Sequence, residues 1–204
     1  MNTFDNVSII GLTGQSGAGK TTVSKIFSDN GFCVIDADSV SREVASFPEF
    51  LDEVKELFPD CVNDGRLERK KLANIVFNDK KALLEYTALI YPYITCEVFK
   101  KIRSYKKCGD CLILLDAPTL FESGLDEICR CIVSVTAPLE LKIERLLSRD
   151  GIPYDMVYSR LKSQNDEAFF ANRSDYLISN DSDIDELNKK ALAVIDAIKE
   201  RFNA

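Results

Sequence analysis

Gly14-Gln15-Ser16-Gly17-Ala18-Gly19-Lys20-Thr21 fits the pattern G-x-x-x-x-G-K-[ST] at every fixed position. Its flanks fit the same reading. Residues 7–12, Val-Ser-Ile-Ile-Gly-Leu, form an apolar run that reads as a strand leading into the loop. After it, Val23, Ile26 and Phe27 recur at helical spacing. The glycines let the backbone turn tightly enough for its N–H groups to face phosphate oxygens, and the helix that follows adds the positive end of its dipole. Lys20 supplies a charge for β- and γ-phosphates, and the Thr21 hydroxyl is a ligand for Mg²⁺. Strand, glycine loop and helix together predict a nucleotide triphosphate site.

The rest of the chain extends that motif into an α/β fold. Further apolar runs bounded by turn residues lie at 32–35, 111–115, 131–135 and 176–178, with helical patterns between them. This alternation predicts a parallel sheet covered by helices on both faces, with ligands beyond the carboxyl ends of its strands. The first helix is expected over 20–29, stopped by Asn30-Gly31. Residues 39–107 form a long insertion that reads as wholly helical. Pro48 opens one of its helices, Asn63-Asp64-Gly65 is a turn, and Pro92 is expected to break or kink the last helical pattern. The insertion serves either as a substrate-holding subdomain or as extra core packing. Residues 150–172 are polar and read as a mobile lid.

Composition narrows the chemistry. The chain has 204 residues, a formal net charge of −7 and no histidine. The acidic balance argues against general nucleic-acid binding, and without an imidazole a carboxylate becomes the expected base. No apolar run reaches membrane-spanning length, and residues 1–5 are polar and acidic rather than signal-like. Seven scattered cysteines favour a reducing compartment, so the cytoplasm is the expected location. Cys108-x-x-Cys111 and Cys129-x-Cys131 have no histidine to complete a zinc site and fall at apolar runs, which favours small buried residues over ligands.

Three places past strand ends carry candidate chemistry. Asp38 follows the second strand; it either faces an attacking hydroxyl or caps the helical pattern starting at Ser39. Asp116 ends the third strand, where it holds Mg²⁺ or closes a turn. Lys142, Arg145 and Arg149 share one helix face, and no acid lies three or four residues from any of them. That basic stripe either meets a phosphate or pairs with acids on another element.

These residues resemble the dephospho-coenzyme A kinase family. The likeness rests on Gly11-Leu12-Thr13-Gly14 entering the loop, Val34-Ile35-Asp36-Ala37-Asp38, and Asp64-Gly65-Arg66-Leu67-Glu68-Arg69 with Leu72. It continues through Ala117-Pro118-Thr119-Leu120-Phe121-Glu122, Arg145 with Arg149-Asp150, Arg160 with Gln164, and Asp175-Tyr176-Leu177-Ile178 with Asn180. The resemblance implies a P-loop NTPase-like five-stranded parallel sheet, a nucleotide-binding core over 1–38 and 108–204, a helical substrate-binding insertion over 39–107 and a small lid. It implies ATP-dependent phosphorylation of the ribose 3′-hydroxyl of dephospho-coenzyme A, the last step of coenzyme A synthesis. Gly17, Ala18, Gly19, Lys20, Thr21 and Thr22 would bind ATP, Asp38 would face the hydroxyl, Arg69 would lie in the substrate domain, and Arg145 and Arg149 at the lid hinge. Catalysis is expected of Lys20, Asp38 and Arg145, substrate binding of Asp38, Arg69 and Arg149, and Mg²⁺ binding of Thr21 and Asp116. The partner is a small molecule rather than nucleic acid or membrane, and the chain is expected as a monomer or weak homo-oligomer. Where the family usually has His-Pro and a glutamine, this chain has Tyr91-Pro92 and Lys142. The alternatives are another glycine-loop kinase for a nucleotide or small alcohol, or a nucleotide-binding switch without transfer activity.

Overall fold

The structure, a computed structural model, describes residues 7–106 and 111–202. β1 (Val7–Gly14) enters the glycine loop and α1 (Lys20–Asp29) leaves it. β2 (Cys33–Asp36), α2 (Ala37–Val44) and α3 (Pro48–Leu57) follow, then a short pair, β3 (Val62–Asn63) and β4 (Arg66–Leu67). α4 (Arg69–Asn78) and the long α5 (Lys80–Lys106) precede β5 (Cys111–Asp116) and β6 (Cys131–Thr136). α6 (Leu139–Asp150), α7 (Tyr154–Lys162), α8 (Glu167–Arg173), β7 (Tyr176–Ser179) and α9 (Ile184–Phe202) complete the chain. The chain divides into two compact units, one of residues 1–35 with 105–204 and one of residues 36–104.

The first unit is built on a sheet of order β2-β5-β1-β6-β7. β1 pairs in parallel with β5 (Leu12 opposite Asp116) and with β6 (Gly14 opposite Val135), and β6 pairs in parallel with β7. All eight residues of β1 are buried. A central parallel strand is covered on both faces, which explains its unbroken apolar run. One face packs Ile10, Leu12, Val23, Phe27, Val133, Ile178, Ala191 and Ile195 into a common core with α1 and α9. Each large side chain fully buried there, such as Phe27, contributes about 1.5–3 kcal/mol. The register places Gly14, Asp116 and Thr136 at the carboxyl ends of three neighbouring strands, the edge where such sheets bind ligands.

The second unit departs from the expected all-helical insertion at β3 and β4. Asp64 and Gly65 both have positive φ, 50° and 69°, and close a two-residue turn between antiparallel partners. An Asp-Gly pair suits a turn of that hand, so the residues read as a bare turn form a minimal hairpin. Of the expected break or kink at Pro92, the break is absent: α5 runs on through the proline. Proline removes the N–H that would reach the Ala88 carbonyl, a loss of about 3 kcal/mol in a helix interior. Ile90, Ile94, Val98 and Ile102, spaced by four residues, bury one face of α5 and hold the helix together. Phe50 packs edge-on against Tyr86 and Tyr93 in the same unit.

Candidate phosphate-binding site

The loop after β1 folds as its composition requires. Gly17 has φ 79° and Gly19 φ 100°, both in the left-handed region that favours glycine. Gly17 has a second reason: a Cβ there would stand 2.8 Å from the Lys142 carbonyl oxygen, so α6 lies backbone-to-backbone against the loop. A Cβ on Gly19 would collide with the Asn180 amide. Gly19 occupies the N-cap of α1, whose first turn has neither a side-chain cap nor an acidic residue. The N–H groups of that turn and the dipole behind them therefore form a site for an anion.

Four elements set side chains around this loop. Lys20, the first residue of α1, pairs with Asp116 at the end of β5. Asp116 is 6% exposed, so Lys20 neutralises a carboxylate held largely away from water. Arg145, from α6, donates to the Gly17 carbonyl at 3.2 Å and to the Asn180 side-chain oxygen at 3.2 Å. These acceptors are neutral, so the guanidinium holds the loop in shape while keeping its charge for an incoming anion. Asn180, just past β7, also donates to the Ala18 carbonyl at 2.8 Å. Ala18 is buried, whereas Thr21 and Thr22 in the first turn of α1 are exposed.

The basic face of α6 resolves into three different situations. Lys142 is 6% exposed and donates to the Gln15 side-chain oxygen; burial lowers its pKa from the usual lysine value. Arg149 donates to both oxygens of Asp150, at 2.6 and 3.0 Å, and Arg160 reaches the same carboxylate at 3.2 Å. The expected lack of an acid therefore fails for Arg149. Its partner is the next residue, brought round where α6 ends at the left-handed Gly151, φ 62°. Lys142 and Arg145 therefore both meet neutral partners, Lys142 at the Gln15 amide and Arg145 at the Gly17 carbonyl and Asn180, whereas Arg149 is paired with an acid.

Asp38 and Arg69 belong to the other unit. Asp38 lies in the first turn of α2, exposed, two residues past the end of β2. The N-cap of α2 is Asp36, whose side chain accepts the N–H groups of Asp38 and Ser39. The capping role left open for Asp38 is thus filled by its neighbour. Arg69 starts α4, is exposed, and donates to the Arg42 carbonyl at 3.3 Å.

Asn180 and Gln15 are site residues to which the sequence alone attaches no role. Asn180 obeys the same rule that led to Asp38 and Asp116, since it directly follows a strand. Gln15 occupies a variable position of the loop pattern, so the motif carries no signal for it. Burial pushes the thiols of Cys129 and Cys131 up to about 12. Among the described residues no group of three potential metal ligands occurs, and Cys108 lies outside those residues. No helix among the described residues is long and apolar enough to cross a membrane.

A family model described as dephospho-CoA kinase matches residues 8–186. A protein of that name from Fusobacterium nucleatum is 34% identical over 187 residues, covering 91% of this chain and 95% of the relative. Another from Deinococcus radiodurans is 33% identical, covering 87% and 86%. A solved structure from Thermus thermophilus superposes with a TM-score of 0.84 at 29% identity, covering 95% of this chain and 98% of the other. A shikimate kinase from Acinetobacter baumannii, at TM-score 0.54 and 15% identity, shares the fold alone.

Proposed function

The chain belongs to the dephospho-CoA kinase family, and from that premise we propose that it transfers the γ-phosphoryl group of ATP to the ribose 3′-hydroxyl of dephospho-coenzyme A, the last step of coenzyme A synthesis. The observation that carries the reading is the extent of the match. Residues 8–186 span the glycine loop, the whole second unit and the arm of α7 and α8, whereas a generic nucleotide loop would account for the first alone.

In this reading Gly17, Ala18, Gly19, Lys20, Thr21 and Thr22 cradle the triphosphate. Lys20 exchanges the Asp116 carboxylate for phosphate oxygens, and Arg145 stabilises the charge that develops on the transferred group. The 3′-oxygen attacks the γ-phosphorus, the bond from phosphorus to the β–γ bridging oxygen breaks, and ADP leaves. Asp38 receives the hydroxyl proton, since the chain has no histidine to do so. Arg69 and Arg149 anchor the anionic ends of the acceptor. Residues 39–107 hold the acceptor, and residues 150–172 form the lid over the nucleotide. The Thr21 hydroxyl and the Asp116 carboxylate are hard oxygen donors on adjoining elements and fit Mg²⁺, which when bound would neutralise phosphate charge. Such a site works in the cytoplasm, where ATP is supplied.

The deciding experiment offers labelled ATP with a panel of acceptors: dephospho-coenzyme A, adenosine, nucleoside monophosphates and shikimate. Transfer to dephospho-coenzyme A above all others is the expected result. Strong preference for a nucleoside monophosphate defeats the assignment, and nucleotide binding without transfer to any acceptor defeats catalysis itself.

A further inference from the structure

The loop pattern leaves positions 15 and 16 unspecified, yet both are fastened to the segment between α7 and α8. The Ser16 N–H donates to the Gln164 side-chain oxygen at 3.0 Å, and the Gln164 amide nitrogen donates back to the Ser16 hydroxyl at 3.0 Å. One amide group is thus matched at both ends to one residue. Beside it, the Gln15 amide nitrogen donates to the Asn165 carbonyl at 2.8 Å, and the other end of the Gln15 amide accepts from Lys142. Asn165 in turn donates to Glu122 at 2.8 Å. These bonds join α6, the phosphate loop, the α7–α8 segment and the turn after β5 into one polar chain.

We propose that Gln164 is a positioning residue that sets the α7–α8 arm in register with the phosphate loop through Ser16, with Gln15–Asn165 as a second fastening. Neither Gln164 nor Ser16 needs to touch the reacting atoms. Their effect is to hold the loop amides and the arm in one arrangement, so that nucleotide binding and arm placement become a single event. The pairing needs a glutamine: asparagine is one methylene too short, and alanine removes both bonds. Glutamate still accepts from the Ser16 N–H and hydroxyl, but it brings a negative charge toward a triphosphate.

The inference rests on the phosphate site binding ATP, and its test needs no particular acceptor. ATP affinity is measured by direct titration for Ser16→Ala, Gln164→Ala and the double variant, with adenosine as the phosphate-free control and thermal melting in parallel. Each single change is expected to weaken ATP about tenfold, and the double no more than about threefold beyond that, because neighbours sharing one interaction are not additive. Adenosine affinity stays level. Gln164→Asn should behave like Gln164→Ala, and Gln164→Glu should weaken ATP more than ADP. An independent loss near a hundredfold in the double variant overturns the proposal, as does unchanged ATP affinity in both single variants. Equal losses for ATP and adenosine overturn it too, since they would mark a general loss of structure. The acceptor assay on the unaltered chain fails or succeeds separately from all of these.

Discussion

The carboxylate of Asp36 accepts the backbone N–H of Asp38 at 2.9 Å and that of Ser39 at 3.2 Å. Two acids two residues apart thereby divide the work at the start of α2. The first satisfies orphan donors of the helix, and the second keeps its side chain exposed in the first turn.

That division predicts opposite phenotypes. Asp38→Asn should leave the melting temperature and ATP affinity nearly unchanged while turnover falls by about 10²-fold or more, the usual scale of a lost general base. Asp36→Ala should cost about 1 kcal/mol in denaturant unfolding, the usual value of a lost N-cap. Full turnover in Asp38→Asn would show that the residue is no base.

Lys20→Ala should abolish transfer in the labelled-ATP assay, because no other side chain brings a charge to the β- and γ-phosphates from the start of α1. Arg145→Ala should retain the fold but lower kcat/KM for ATP by about 10²-fold, whereas Arg145→Lys should recover only part of the loss. A lysine keeps the charge but cannot reach both the Gly17 carbonyl and the Asn180 side chain in one planar fork.

Gly17→Ala tests the packing of α6 on the loop. A methyl group meets the Lys142 carbonyl oxygen at 2.8 Å and also forces an L-residue into φ 79°, which costs about 1–2 kcal/mol by itself. Thermal unfolding should report at least that loss, with weaker ATP binding beside it. Gly151→Ala is a useful contrast, since nothing lies within 4 Å of its Cβ and only the backbone conformation at φ 62° is strained.

The Asp150 cluster predicts a pH response. The Arg149 guanidinium, with smaller help from Arg160, holds the Asp150 carboxyl below its ordinary value of 3.8. A carboxyl lowered in the folded state contributes stability that is fully present above 3.8 and is lost as pH falls through the lowered value. The difference in melting temperature between the unaltered chain and Asp150→Asn should therefore be flat at neutral pH and shrink below about pH 4. The arginines are exposed, so the stability behind that difference should be small, about 0–1 kcal/mol. A difference that grows toward acid would contradict the pairing.

How far the sequence could be read varies with the range of the interactions. The glycine loop, α1 and its stop at Asn30-Gly31 follow from neighbouring residues and match the structure. The same is true of the five sheet strands, each foreseen to within two residues at either end. At Pro92 the helix does not break, because a proline's local cost is visible in sequence whereas the buried face of α5 that overrides it comes from packing across its unit. The basic stripe was misread in part because a search at helical spacing misses Asp150, which reaches Arg149 only where the helix ends.

The sequence by itself determined the nucleotide loop, the α/β alternation and the acids that follow strands, because each depends on backbone conformation and side-chain period within a few residues. Only the tertiary structure decided that Lys142 is buried against Gln15 and that Arg145 reaches the Gly17 carbonyl and Asn180. It alone joined Gln164 to Ser16, 148 positions apart in the chain. Contacts of that separation depend on how the sheet and its helices pack, and no local pattern of residue types encodes them.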